Sequence, residues 1–196
     1  MAISSVQIGN LALGKIGTDT TIESLTENSS EAKTINLWFD LARQEVLSGF
    51  AWGFATERLT LATHTDDPSA EWTFRYQYPV RSLAFRFIAP VIKTDDPIPF
   101  SIELSSGTKS ILTDATEAIG AYTIDVTDTS LYTPWFIETF TTLLSSHIAL
   151  AVTGQPELAL SLGEAARVMM IRASALDATE KAEDPARNAD HIRGRA

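Results

Sequence analysis

The chain contains no cysteine. That excludes a disulfide framework, a thiolate zinc site and a cysteine nucleophile, and it fits a reducing cytosol. Histidine is scarce, at positions 64, 147 and 191 only, and no His-Glu-x-x-His helix is present. A Gly-rich phosphate loop and a Gly-x-Ser-x-Gly elbow are also missing. Nothing in the spacing sets a serine or threonine beside a histidine and a carboxylate. Positive charge is in deficit: 15 Lys and Arg face 25 Asp and Glu, for a net charge of −10. An electrostatic grip on nucleic acid over the whole surface is therefore disfavoured, although an acidic wall past which nucleic acid slides is compatible with it. No apolar run is expected to reach the roughly 18 residues of a membrane span. The longest candidate, Leu143 to Val152, is interrupted by Ser145, Ser146 and His147. Met1-Ala2-Ile3-Ser4-Ser5 lacks a basic region followed by an apolar core, so no signal peptide is predicted. Together these absences disfavour an enzyme, predict no cofactor or metal and predict no membrane contact.

What is present is 196 residues, 44% of them hydrophobic, enough for one domain carrying a sizeable insert. Ser4 or Ser5 can cap a first helix with Val6, Ile8, Leu11, Leu13 and Ile16, and Gly17 suits its C′ position. Ser29 or Ser30 can cap a second; Asn28-Ser29-Ser30 thus reads as a helix start rather than a glycosylation site. Ile35, Trp38, Phe39, Ala42, Val46 and Phe50 recur at i, i+3, i+4 and i+7, the spacing of a packed helix that should end near Ser48-Gly49. From Phe54 the patterning changes to period two. Arg58 to Ala62, Trp72 to Tyr78, Leu83 to Ile92, Phe100 to Leu104, Ile111-Leu112 and Ala118 to Val126 predict five or six short strands. Ser105-Ser106-Gly107-Thr108 is a hairpin turn candidate. Thr133 with Pro134 then opens a third helix that Gly154 stops. Gln155-Pro156 begins a fourth through Leu158, Leu160, Leu162, Ala165, Ala166, Met169, Met170, Ala173 and Leu176.

The predicted fold class is α+β. Two N-terminal and two C-terminal helices (1–53 and 133–179) should form a four-helix bundle, with a small antiparallel β domain inserted at 54–132. The charged stretch 180–196 has only Ile192 as a large apolar side chain and reads as a flexible C-terminal tail.

Few constellations carry chemistry. His64 before Asp66-Asp67 permits a His-Asp-Asp metal site on paper, but such spacing is common in polar loops. His147 reads as a structural histidine at the edge of an apolar stripe. Thr65-Asp66-Asp67-Pro68 recurs as Thr94-Asp95-Asp96-Pro97. The pair reads either as turn chemistry or as two acidic loops facing a cation or a basic partner. Trp38, Phe39, Phe50, Trp52, Phe54, Trp135 and Phe136 gather at the joints between helices and insert. Most should be core, with one or two exposed as interface anchors.

Several stretches share order and spacing with one family. They are Ala12-Leu13-Gly14-Lys15-Ile16-Gly17, Ile22-Glu23-Ser24-Leu25, Ser30-Glu31-Ala32, Trp38 to Leu47, Trp52-Gly53-Phe54-Ala55 and Arg58 to Ala62. Trp72, Tyr76, Tyr78-Pro79, Tyr122 to Asp128 and Pro134-Trp135-Phe136 continue the series. Over roughly residues 10 to 155 the chain resembles the tail tubular protein A family, the head-to-tail adaptors (gatekeepers) of short-tailed bacteriophages. It departs from the family at Val80-Arg81, where relatives tend towards an acidic residue after the proline, and it matches least beyond Pro156.

The resemblance implies a structural virion protein of the phage neck, made in the bacterial host cytoplasm. It implies a homo-oligomeric, twelve-fold ring that joins the portal protein to a tail nozzle like tail tubular protein B, with tail fibres attached in some relatives. Genomic DNA would pass through the channel without specific binding. Within that frame the β part, with Asp66, Asp67, Asp95 and Asp96 at its rim, is expected to face the tail. The C-terminal segment, with Arg187, His191, Arg193 and Arg195, is expected to dock on the portal and to order there. Two other readings stay open: a head-completion or stopper connector of a longer-tailed phage, and a carboxylate-dependent metal hydrolase built on the two Thr-Asp-Asp-Pro loops.

Overall fold

Ser4 closes the start of the first helix, α1 (Ser5–Lys15), by a capping box. Its hydroxyl accepts from Gln7 N–H, and the Gln7 side chain accepts from Ser4 N–H. Ile8, Ala12 and Leu13 are buried; Leu11, expected on the same face, is turned to solvent. Its position, three residues after Ile8 but one before Ala12, puts it at the margin of the stripe. The chain leaves α1 through Gly17 at φ +77°, a left-handed conformation that glycine adopts without a Cβ clash. Ser29 caps α2 (Ser30–Gly49), which buries Ile35, Phe39, Ala42 and Val46, together with Arg43 and Leu47. Trp38 and Phe50 are half-buried flanks of that stripe. Thr133 caps α3 (Pro134–Thr153), and Gly154 at φ +71° ends it. After the short link comes α4 (Pro156–Glu180).

The computed structural model describes residues 3–89, 97–105 and 107–180, a mixed α+β arrangement of four helices and two small antiparallel sheets. The middle helix of the helical part is α3. On one side it meets α2 through Phe39–Phe140 and the stacked Trp38–His147 pair. On another it meets α1, where Ser145 Oγ donates to the Ala12 carbonyl. On a third it meets α4, where Thr142 touches Met169. Thr139, Thr141, Thr142 and Ser145 are buried in it at no unpaired cost, because each hydroxyl donates to a carbonyl three or four residues back, Ser145 sharing its one proton between Thr141 and Ala12. These internal bonds hide the helix's polarity. Contrary to the sequence expectation, α3 is long and apolar enough to cross a membrane by length and composition; half of that stretch is buried against the other elements here.

After α2, a short 3₁₀ turn (Gly53–Ala55) leads into β1 (Thr56–Thr60), followed by β2 (Phe74–Gln77), β3 (Ser82–Ala89), β4 (Phe100–Ser105), β5 (Thr108–Thr113) and β6 (Ile119–Ile124). One sheet has the order β1-β6-β3 and the other β2-β5-β4, all antiparallel. Leu61, Tyr76, Ile88, Ile111 and Ala118 form a small core between them, with Phe85 and Phe100 edge to face across it at 5.0 Å. Gly120, in the central strand β6, lets two side chains close over the strand. A Cβ would stand 2.7 Å from both Leu61 and Phe85. Leu83, Ile124 and Val126 instead join the larger helical core, so the β1-β6-β3 sheet faces both ways.

Candidate assembly and docking surfaces

Between helices and sheet, side chains of opposite origin meet at a polar joint. Arg43 on α2 donates from Nε to Asp125 Oδ1 at 2.8 Å and from Nη2 to Asp125 Oδ2 at 2.9 Å, a planar two-point grip. Gln44 donates to the same carboxylate, and Arg43 Nη1 reaches Asp40 one turn earlier. Burial opposes the charge on Asp125, but the hydrogen bonds from Arg43 and Gln44 outweigh it and hold the carboxyl below its ordinary range. Burial likewise works against the Arg43 charge, and its bonds to Asp125 and Asp40 reverse that and raise its pKa further.

A second arginine closes α2. Its last turn holds no basic residue, and its final carbonyls need partners. Arg86 on β3 supplies them, donating to the carbonyls of Leu47, Ser48 and Phe50, and to Thr123 Oγ1 on β6. This places a cation at the negative end of the helix dipole. Trp52 Nε1 donates to a further α2 carbonyl, Val46, and its fully buried ring meets Phe50, Phe54 and Phe136. These contacts tie the end of α2 to the turn after it and to β3 and β6.

Beside the joint lies an apolar groove of about 290 Å³ between α2, α3 and α4. Leu143 and Thr139 of α3 line it, with Met170, Ile171 and Arg167 from α4 and Glu45 from α2. A Cβ on Gly49 would stand 3.0 Å from Met170, so the two walls close at that end. His147 stacks on Trp38, centroids 4.8 Å apart, and its Nε2 lies 3.4 Å from Glu45 Oε2 without making a hydrogen bond. Outside the groove the apolar residues continue. Leu37 and Leu41 on α2, Leu150 on α3, and Leu160 and Val168 on α4 face solvent, as does Ile171 at the groove's edge. Leu160 and Leu176 were expected within the α4 stripe; Leu160 is 72% exposed and Leu176 37%. The reason is tertiary: α4 lays Ala166 and Ala173, flanked by the half-buried Leu158, Leu162 and Met170, against the helical core, and Leu160 falls outside that line. Asp177, also buried, accepts from Gly53 N–H and ties the end of α4 to the turn after α2. Of the aromatic set, Trp135 is the exposed member, half open at the start of α3.

The acidic loop after β1 is held by turn bonds. Asp66 N–H donates to His64 Nδ1, and Ser105 Oγ, at the end of β4, donates to Asp66 Oδ2 at 3.0 Å. Asp67 is exposed. Asp95 and Asp96, the echo of this loop, lie outside the described residues, as do Arg187, His191, Arg193 and Arg195. Among the described residues no group of three or more His, Asp or Glu converges on a point that could hold a metal ion.

No protein-family model matches the chain, and no curated protein matches it in sequence.

Neither arginine of the joint stood out in the sequence. Arg43 interrupts an apolar stripe and Arg86 interrupts a strand pattern, and an interrupting charge within a buried face is the one signal that could have marked them. For the outer face of α4, the signal was surplus. Its apolar residues fall all round the helix, more than one stripe can bury.

Proposed function

We propose that this chain is a structural ring subunit, a head-to-tail adaptor that couples a phage portal to its tail. The observation that carries the reading is the apolar exterior of the helical part. Solvent-facing Leu37, Leu41, Leu160, Val168 and Ile171 leave a single copy with more apolar surface than it covers, which suits permanent contact with neighbours. A heterologous interface repeated about an axis closes into a ring. The order of helices, insert and helices, and the residues shared with the adaptor family, supply the rest.

In this reading the helices act as a four-helix bundle packed side by side around a channel, and the β part points towards the nozzle or fibres. The loop at Asp66-Asp67 is assigned to the tail-facing rim, Asp95 and Asp96 are assigned the same role from the sequence echo, and the segment from residue 180 onward is assigned to portal docking through its arginines. A net charge of −10 discourages DNA from sticking as it passes. The fixed joint at Arg43, Asp125 and Arg86 transmits position from bundle to β part without a hinge. The groove's apolar lining favours packing over catalysis.

The test is to mix the purified chain with rings of its portal protein at micromolar concentration and image the product by negative-stain microscopy. An added layer on one end of the portal is expected. A chain that stays monomeric and leaves portal rings bare overturns the proposal.

A further inference from the structure

One titratable side chain takes no part in the polar joint or the acidic loop. His147, on α3, lies flat against Trp38 of α2, with ring centroids 4.8 Å apart and planes 11° from parallel. Its Nε2 is shut off from water and has no hydrogen-bond partner, although Glu45 Oε2 stands 3.4 Å away. Native structures seldom leave a buried polar atom unpaired without a reason.

Helix α2 reaches the ring twice, through Trp38 and, two helical turns later on the same face, through Glu45. His147 therefore sits between an aromatic face and a carboxylate that belong to one helix, while its own backbone belongs to another. Among the described residues, Glu45 is the one carboxylate in ion-pair contact with it. The other charges at this groove come from α4. Arg167 lines the groove along with Glu45, and Glu164 holds Arg167 at 3.2 Å. Both α4 side chains are more than two-thirds exposed, so water screens them, whereas Nε2 is enclosed.

In a neutral imidazole one nitrogen carries a hydrogen and the other a lone pair. A lone pair on Nε2 would face the carboxylate and repel it. A hydrogen on Nε2 meets the carboxylate in a geometry that makes no bond. A second proton changes the relation to both neighbours at once. The ring becomes a cation, its Nε2–H draws in the Glu45 carboxylate as a charge-assisted donor, and its charge lies over the electron-rich face of Trp38. Both gains pull α2 onto α3, and both vanish when the proton leaves.

We propose that His147 is a proton-operated latch: protonation binds it to Glu45 and Trp38 and locks α2 to α3 beside the apolar groove. The charged form is the one the fold favours, so the contribution is present at acid pH and is lost as pH rises through the range in which histidine discharges. The latch is internal to one copy and does not depend on the ring reading.

A double-mutant cycle at about pH 5.5 and about pH 7.5 tests it; the lower value charges an ordinary imidazole and leaves an ordinary carboxylate ionised. Wild type, His147→Gln, Glu45→Gln and the double variant are unfolded in urea, and matched m-values confirm that each folds. His64 and His191 are present in all four proteins, so their titration cancels. At the lower pH, the product of the two single-variant increases in unfolding constant should exceed the increase in the double variant by about three- to fivefold. At the higher pH that factor should fall to about one. If His147→Gln prevents folding, Glu45→Gln alone decides: its increase over wild type should be larger at the lower pH. Trp38 emission, taken as the difference between chains with Trp38 and with Trp38→Phe, should change between the two pH values and stay constant once His147 is replaced by Gln. Coupling that is equal at both pH values, coupling that is stronger at the higher one, or a Trp38 signal that responds to pH equally without His147 would each overturn the latch.

Discussion

α3 and α4 are adjacent in sequence, antiparallel in space and similar in length, yet they are held in opposite ways. α3 is wrapped on three sides and buries nine residues, four of them hydroxyl side chains that bond to its own backbone. Among the described side chains of its 25 residues, α4 buries three, Ala166, Ala173 and Asp177, two of which contribute little apolar volume. Burial of apolar area is the main stabilising term in folding. Leu158, Leu162 and Met170 pack half-buried against the helical core, while the exposed Leu160, Val168 and Ile171 are apolar content that the single copy leaves open. The difference teaches that apolar residues in α3 serve folding and those on the outside of α4 are available for association.

The contrast can be broken most forcefully in α3. Phe136 is fully buried among Trp52, Phe54, Tyr132 and Phe140. Phe136→Ala should cost about 3–5 kcal/mol, from lost burial plus the cavity left behind. A urea titration with an unchanged m-value measures it.

The joint comes next. Asp125→Asn should cost about 2–3 kcal/mol, because it weakens the two-point grip and leaves the buried Arg43 with Asp40 as its only carboxylate. The same pair sets the acid limb of stability. Asp125 has a folded-state pKa below its unfolded value of 3.8, so its contribution is complete above that value and is lost as pH falls through the lowered one. Asp125→Asn should flatten that limb. At the other extreme, burial pushes the Tyr132 phenol up to about 12 from 10.0. Its contribution is complete below pH 10 and is lost as pH rises towards 12, which Tyr132→Phe should abolish. Unfolding midpoints across pH check both.

Asp177 is where α4 is pinned. Asp177→Ala removes the acceptor of Gly53 N–H and should cost about 1–2 kcal/mol. Amide exchange should rise first in the last turns of α4 and in the turn after α2, and little in α3. The smallest effect is expected on the open face. Ile171→Gln should change monomer stability by no more than about 0.5 kcal/mol. If it costs as much as Phe136→Ala, α4 is core and the contrast with α3 is false.

Much of the local structure was legible in the residues. Ser4, Ser29 and Thr133 announced helix starts because a hydroxyl can satisfy an orphan N–H. Gly17 and Gly154 announced ends because each takes a positive φ. Period two across Arg58 to Val126 announced strands, and the described residues form six of them. Less legible were the outward turn of Leu11 and Leu160, the burial of Arg43, and the apolar length of α3. Each depends on which neighbour covers which side.

The sequence by itself determined the α+β class, the helix caps and stops, the alternation of the strands and the acidic surface, because these depend on interactions within a few residues. Only the tertiary structure decided that α3 is the shared centre and that α4 rests mainly on α3. It also decided that Arg86 crosses from a strand to close the end of α2, and that Asp125 holds Arg43. Those outcomes join residues far apart in the chain, 82 positions for Arg43 and Asp125 and 133 for Ala12 and Ser145. Their energies come from burial and desolvation that no local pattern records.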